Sequence, residues 1–233
     1  MKSKQRILTF FILIISVVIL YLATIREVNQ YYYPMAIGML LLWTILFILS
    51  FENKKPQAKE VVLIATLSAL AVVSRTIFFM VPSFKPMTAI IMLSGIALGG
   101  HYGFLIGAIS GFASNFVFSQ GPWTIWQMFA WGMVGWLSGI LFSGTRRKYA
   151  DKLWILILYG FVVTVFVYGI IMDTQSLLFM LGRANLNSML GVYLAGLPFN
   201  LVHGASTAVF TLLLAKLFLK QMRRIQNKFG IRV

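Results

Sequence analysis

The chain alternates long apolar runs with short polar segments, and the lengths of these runs predict membrane-spanning helices. The hydrocarbon core of a bilayer, about 30 Å thick, requires about 20 apolar residues in a helix. Clear runs of this kind occupy 7–25, 34–51, 60–81, 123–143, 152–172 and 189–219. No small-residue cleavage site follows the first run, and another apolar run begins almost at once. We therefore interpret the first run as a retained helix and not as a signal peptide.

The segment 87–118 is apolar but is interrupted by repeated glycines, with His101 near its centre. This pattern predicts two shorter helices, 87–99 and 102–118, that turn at Gly99-Gly100-His101, and it brings the predicted total to eight spans. Small residues recur at four-residue spacing from the third to the sixth span, which favours close helix packing. The first two spans carry almost none. We predict a six-helix core over 59–233 and two additional N-terminal spans over 1–58.

Composition and charge support an all-α integral membrane protein. Hydrophobic residues make up 60% of the chain and charged residues 11%, against about 25% charged in a soluble domain. The net charge of +15 does not indicate a nucleic-acid partner, because the basic residues cluster at the ends of apolar runs. All but four of them fall before span one, after span two, after span six or after span eight. The positive-inside rule then places both termini in the cytoplasm.

Several classes of chemistry are excluded by what the chain lacks. There is no cysteine, so a disulfide, a thiolate metal site and a cysteine nucleophile are impossible. The five acidic residues lie near membrane edges, which argues against carboxylate-coupled transport and glutamate-ligated metalloproteases, and no metal site is expected. A Walker loop is absent, so the chain cannot hydrolyse ATP itself. An intramembrane protease using Ser110, from the stretch GAISG, and His203 remains an alternative.

The stretch SNFVFSQGPWTIWQMF, residues 114–129, places amides and aromatic rings together at an outer turn made by Gly121 and Pro122. Lipid chains offer amides no hydrogen-bond partners, so the stretch predicts part of an outward-facing ligand pocket. The segment 173–188, interpreted as a long outer loop, is expected to close that pocket, since long loops are often functional. Alternatively, this segment is a passive connector.

Four polar residues at membrane depth are further candidates, because such residues are costly in lipid. Arg75 either contacts an anionic or carbonyl-rich ligand or extends to the outer headgroups. Lys85, in the rigid stretch PSFKPM, either faces the ligand or water. Asn200 follows Pro198, which can free a backbone carbonyl, and is expected to face the ligand. His203 is interpreted as a hydrogen-bonding residue between helices.

One stretch carries a family resemblance: FKPMTAIIMLSGIALGGHYGFLIGAISGFASNFVFSQGPWTIWQMFAWGMVGWLSGILF, residues 84–142. It resembles the substrate-binding S components of energy-coupling factor (ECF) vitamin transporters, most closely the cobalamin branch, and the resemblance covers about residues 60–220. It implies a six-helix core in a bacterial plasma membrane that binds a vitamin on its outer face. It also implies association with a membrane coupling subunit and two ATPases, which use the ATP, and toppling of the subunit to deliver the ligand. The small-residue face formed by Ala65, Ala69 and Ala71 would contact the coupling subunit.

A cobalamin site would combine aromatic contacts with hydrogen bonds from amides and hydroxyl groups. The candidate residues are Arg75, Phe84, Lys85, Asn115, Phe118, Gln120, Trp123, Trp126, Gln127, Asn185 and Asn200. The two tryptophans could instead anchor the protein in the membrane interface. Pyridoxine, riboflavin, pantothenate and queuosine precursors are the alternative ligands, and an assembly protein without a ligand is the alternative from another class. No cofactor of the chain's own is expected.

Overall fold

The computed structural model describes residues 57–180 and 186–231, together with short pieces between 14 and 42. Those pieces are 14–16, 18–19, 31, 34–35, 37–39 and 41–42, and the side chains at 178, 180 and 186–189 are not described. The predicted spans 7–25 and 34–51 therefore lie mostly outside the described residues, and Asn185 lies wholly outside them. The division of the chain at residue 58 stays a prediction.

The described part of the chain consists of helices joined by short loops and turns. The α-helices are α1 (Ala58–Ile77), α2 (Met87–Leu98), α3 (Gly100–Phe118), α4 (Trp123–Leu141), α5 (Leu153–Val163), α6 (Ile170–Met180) and α7 (Leu186–Phe229). A 3-10 helix, Gly144–Asp151, joins α4 to α5, and a π-helical segment, Thr164–Gly169, joins α5 to α6 without a break. The prediction of an all-α protein is confirmed for this part.

Local sequence explains where these helices begin and end. The Glu60 carboxylate accepts a hydrogen bond of 2.8 Å from the backbone N–H of Gln57, which starts α1. Gly99 separates α2 from α3 because it adopts a φ of 92°, a conformation open to glycine but costly for most residues. Pro122 precedes the first residue of α4, where its missing N–H costs nothing. The predicted turn at Gly121-Pro122 is therefore confirmed, whereas the turn predicted over Gly99-Gly100-His101 is confined to Gly99, since α3 already begins at Gly100.

Helix α2 is the centre of the fold. All 12 of its residues are buried, as expected for a helix that is apolar on every side. It packs with α3 and α4 where Gly95 and Gly103 both meet Gly135, and a Cβ on either Gly103 or Gly135 would overlap the backbone of the other. The small-residue faces predicted on these helices are thus used for packing within the protein.

Three described helical segments are long and apolar enough to span a membrane: Ala58–Ile77, Leu153–Leu177 and Leu190–Phe229. A fourth is added if α4 and the 3-10 helix are counted as one span bent by 103°. Helix α2, at 12 residues, is about 18 Å long and cannot cross the bilayer alone. The eight spans and the cytoplasmic termini remain predictions.

The segment 173–188 is not the long outer loop that the sequence suggested. Residues through Met180 continue α6, and α7 begins at Leu186. The loop was predicted from polar residues such as Asp173 and Gln175. In the structure these two residues face the protein interior or its cavity and not water. The helix of the last span also continues through Pro198.

The two ends of the helix bundle differ in charge. At one end, Lys59 donates a hydrogen bond to the backbone oxygen of Phe229, and Gln226 donates to the oxygen of Ala97 at 2.8 Å. The start of α1, the α2–α3 turn and the end of α7 therefore meet there, beside the 3-10 helix. We call this the basic end. The loop 78–86 and the turn 119–122 lie toward the other end.

Candidate ligand cavity and family membership

A cavity of about 490 Å³ opens among the helices away from the basic end. This volume lies within the range of small-molecule sites, about 300–1,000 Å³. Its lining comprises Arg75, Ser83, Lys85, Met87, Thr88, Phe118, Trp131, Tyr168, Met172, Asp173, Ser176, Val192, Ala195, Gly196, Phe199, Asn200 and His203. Aromatic and aliphatic surface is therefore combined with charged and polar side chains.

Arg75, in the last turn of α1, points into the protein and not to the membrane surface. It is buried, and its guanidinium carbon lies 4.1 Å from the ring centre of Phe118 and 4.9 Å from that of Trp131. One terminal nitrogen donates to the Ser114 hydroxyl and, at 2.9 Å, to Asn115 Oδ1. Both aromatic faces and both acceptors favour the charged guanidinium at this position.

Asn115 is itself fixed by a second layer of polar groups. Its Nδ2 donates to Thr124 Oγ1 at 3.0 Å and to Gln127 Oε1 at 2.8 Å, which directs Oδ1 toward Arg75. The Thr124 hydroxyl also accepts from the N–H of Gly121 and donates to Gln120 Oε1. The Thr124 hydroxyl then uses its single donor and both of its acceptor sites. The amides of the stretch 114–129 therefore hold Arg75 in position, and they do not line the cavity themselves.

Lys85 places a second cation at the cavity, from the loop between α1 and α2. Its Nζ donates to the oxygen of Val81 at 2.7 Å and lies 5.3 Å from the ring centre of Phe118. Its own backbone oxygen accepts from the Ser206 hydroxyl at 3.0 Å, which ties the loop to α7. Partial burial, reinforced by the charge of Arg75, lowers the pKa of Lys85.

A carboxylate lies on a different wall. Asn200 Nδ2 donates to Asp173 Oδ2 at 2.7 Å, joining α7 to α6. Glycines make room for this pair, since a Cβ at Gly196 would collide with the Asp173 carboxylate and one at Gly169 with the Asn200 amide. Among the described residues, neither Arg75 nor Lys85 forms an ion pair with Asp173.

His203, Thr88 and Trp131 form a hydrogen-bonded chain across three helices. Trp131 Nε1 donates to Thr88 Oγ1 at 2.9 Å, and Thr88 Oγ1 and His203 Nε2 are 2.8 Å apart. Tyr168 packs between these groups, 5.0 Å from the Trp131 ring and 4.7 Å from the His203 ring. The interpretation of His203 as an interhelical hydrogen-bonding residue is confirmed. A protease pair is not formed, because the Ser110 hydroxyl donates to the oxygen of Ser68.

The predicted site residues fall into two groups. Arg75, Lys85, Phe118 and Asn200 line the cavity, whereas six do not: Phe84, Asn115, Gln120, Trp123, Trp126 and Gln127. Phe84 packs against Phe210, with 5.4 Å between ring centres. Gln120 Nε2 donates to the oxygen of Phe112.

The two predicted tryptophans have other positions. Trp123 is 38% exposed, packs over Gly121 and donates to the oxygen of Ser119. Trp126 is buried, and its indole nitrogen has no hydrogen-bond partner among the residues that the structure describes. The tryptophan at the cavity is Trp131, which the sequence analysis missed. It follows Gln127 by four residues and so shares its helix face, a signal that was available.

Missed residues also come from distant segments of the chain. Thr88, Tyr168 and Asp173 line the cavity, and Tyr168 belongs to the π-helical segment. Such segments occur often at functional sites. Nothing in their local sequence indicates that they meet Arg75.

Only part of the predicted coupling face is accessible. Ala65 and Ala69 are exposed on α1, whereas Ala71 is fully buried against the core. Successive helical residues are rotated by about 100°, so a residue two positions after Ala69 lies on nearly the opposite side. Ala71 is therefore a packing residue, and the prediction that it contacts a partner is wrong.

Comparison with known proteins agrees with this arrangement. The sequence model of a family described as "ECF-type riboflavin transporter, S component" matches residues 55–220, which include the whole cavity. The chain belongs to this S-component family. It is therefore a membrane-embedded, substrate-binding subunit that associates with an ECF module, comprising a coupling subunit and ATPases, and it is not an enzyme. Searches of curated proteins and of solved structures return no significant match.

Proposed function

We propose that this S component binds, in the cavity, a vitamin with a planar ring that carries hydrogen-bond acceptors at one end and donors at the other. The observation that supports this is the separation of charge across the lining. The two cations, Arg75 and Lys85, lie in one region of the lining, and the carboxylate of Asp173 lies in another. Neither cation forms an ion pair with this carboxylate.

Charged groups in a low-dielectric site are costly unless they have partners. Arg75 and Lys85 already donate to protein oxygens, and a ligand with carbonyl or anionic oxygens would give their remaining N–H groups further acceptors. Hydroxyl or N–H donors at its other end would satisfy Asp173. The rings of Phe118, Trp131 and Tyr168 offer flat apolar surface for the part between, where aromatic stacking adds to area burial.

Riboflavin, the ligand in the family description, has this distribution. Its ring carries two carbonyls, and its sugar-alcohol chain carries hydroxyl donors. A cavity of about 490 Å³ suits a ligand of this class. Riboflavin is therefore the first ligand to test.

Cobalamin is the second candidate, because the resemblance of residues 84–142 favours it and its fringe of amides supplies both donors and acceptors. The corrin macrocycle with its nucleotide tail is much larger than a flavin. The cavity would enclose only one edge of it, so this ligand requires that the helices around the opening move apart.

Transport follows from the association with the ECF module. We propose a coupling subunit and two ATPases as the partners, in a bacterial plasma membrane, with toppling of the bound S component as the delivery step. Ala65 and Ala69, exposed on α1, are small enough to allow a partner helix to approach closely.

Calorimetry on purified protein tests the ligand directly. The panel comprises riboflavin, cobalamin, pantothenate, pyridoxine and a queuosine precursor, and the variants are Arg75→Gln and, as the matched control, Arg224→Gln at the basic end. We expect riboflavin to bind, Arg75→Gln to weaken binding about tenfold or more, and the control to bind as the wild type does. Binding of no panel member would contradict the proposal, as would unchanged affinity in Arg75→Gln. Binding of cobalamin alone would replace riboflavin as the ligand.

A further inference from the structure

The basic end of the protein contains a second concave surface, remote from the ligand cavity. Two adjoining hollows of about 220 and 130 Å³ lie between the 3-10 helix, the start of α5 and the last third of α7. They share Ala150, Asp151, Leu219 and Arg223, so they form one continuous groove. We call it the basic groove.

Its rim is cationic and its interior is apolar. Arg147, Lys148 and Arg223 line the larger hollow, and Lys216 lines the smaller. Of the described residues, Asp151 is the one acidic residue in either lining, and it forms an exposed ion pair of 2.7 Å with Arg223. The groove therefore keeps a net positive charge, which favours an anionic occupant.

The groove adjoins the start of an apolar helix, which is where lipid headgroups are expected. After α4 the chain bends by 103° into the 3-10 helix, and the apolar helix α5 begins directly afterwards. Tyr149 and Trp154 flank this junction, and Trp154 is 64% exposed. Exposed tyrosine and tryptophan beside basic residues are typical of the membrane interface.

The smaller hollow extends along side chains that continue into the membrane region. Its lining includes Leu153 and Leu156 of α5 and Ala215 and Leu219 of α7. A soluble anion would use only the charged rim, whereas a phospholipid would use both parts: the phosphate at the rim and an acyl chain along the apolar side. Basic pockets between membrane helices recognise anionic headgroups by this combination.

From this geometry we infer that the basic groove is a binding site for an anionic phospholipid of the phosphatidylglycerol class, with its phosphate between Arg147, Lys148 and Arg223. This site is separate from the vitamin cavity and does not rest on the identity of the vitamin.

Native mass spectrometry of the full chain after reconstitution with equal amounts of phosphatidylglycerol and phosphatidylcholine tests the site. The test variant is Arg147→Gln/Lys148→Gln. The matched control is Lys220→Gln/Arg224→Gln, which removes the same charge from exposed residues of α7 that line neither hollow. We expect the wild type and the control to retain phosphatidylglycerol preferentially, and the test variant to lose at least about fivefold of that preference.

Two outcomes would overturn the inference. Equal loss in both double variants would show unspecific attraction to net charge, and no loss in either would show that the groove is not occupied by lipid. A thermal-shift assay with glycerol phosphate distinguishes a soluble phosphate from a phospholipid as the occupant. We expect no stabilisation by the soluble phosphate, and stabilisation equal to that by phosphatidylglycerol would show a soluble ligand instead.

Discussion

At the residue scale, neighbouring residues set the orientation of the Arg75 guanidinium at the cavity. Asn115 accepts from its guanidinium and is itself held by Thr124 and Gln127. The amides of the stretch 114–129 are therefore positioning residues. They determine which way the cation faces without contacting a ligand.

Replacing Asn115 with Leu should weaken vitamin binding by about five- to twentyfold, because a hydrogen bond to a charged group contributes about 1.5–3 kcal/mol and only part of this reaches the ligand. Calorimetry with the bound vitamin measures the change. Trp123→Phe, in the same stretch but outside the cavity lining, is the control and should bind normally. If both variants bind as the wild type does, Arg75 does not depend on Asn115.

Lys85 gives the site a dependence on alkaline pH. Burial and the nearby Arg75 lower the pKa of Lys85 below its ordinary value of 10.5, so its positive charge is lost earlier than that of a free lysine as the pH rises. Affinity for a carbonyl-rich or anionic ligand should therefore fall on the alkaline side, at a pH below 10.5. Lys85→Arg keeps its charge there and should remove this fall. A fall that persists unchanged in Lys85→Arg would assign the titration to another group.

At the element scale, α2, α3 and α4 form one close-packed unit that supports the cavity. Gly95, Gly103 and Gly135 bring three backbones together, and Thr88 and Trp131 extend from this unit into the lining. Because these helices pack rigidly, the hydrogen bond between Thr88 and Trp131 has a fixed geometry. This bond holds the Trp131 ring toward Arg75.

Gly103→Ala should destabilise the protein by about 1–3 kcal/mol, because its methyl group would overlap the backbone of Gly135 and force the helices apart. Thermal unfolding in detergent measures this as a lower melting temperature. The control is Gly191→Ala on α7, where nothing lies within 4 Å. There, the better helix propensity of alanine should leave stability equal or slightly higher. Equal melting temperatures for both variants would show that the close approach is not needed.

At the scale of the whole molecule, the basic end and the ligand cavity lie apart along the helix bundle. The structure brings three of the four basic clusters of the sequence together. They are the cluster that contains Lys59, the cluster over 146–152 and the cluster at the end of α7. Under the positive-inside rule, the cavity would then open to the outside.

Single-cysteine labelling tests this orientation cleanly, because the chain has no cysteine of its own. Ser119→Cys, at the turn beside the cavity end, should react with a membrane-impermeant maleimide on intact cells. Arg147→Cys, at the basic end, should react only after the membrane is permeabilised. The reverse pattern would place the cavity on the cytoplasmic side and would contradict the proposed direction of uptake.

The family and the helical class could be predicted from the sequence because they depend on local patterns. Apolar run length, glycine spacing and the stretch 84–142 each act within a few turns of the chain, and they located the turns at Gly99 and at Gly121-Pro122. The same local logic placed Arg75, Lys85, Phe118 and Asn200 among the candidates, since polar groups at membrane depth need a reason to be there.

Tertiary structure alone decided which of these residues meet. Asp173 and Tyr168 reach the cavity only because α5, the π-helical segment and α6 run beside α7, and the amides near Gly121 sit one layer back because α3 and α4 pack too closely to leave an opening between them. Contacts between residues more than 40 positions apart depend on how helices rotate and pack, which local sequence does not encode. The chain by itself therefore determined the kind of protein and four of the residues at its cavity, and the packing of its helices determined the site.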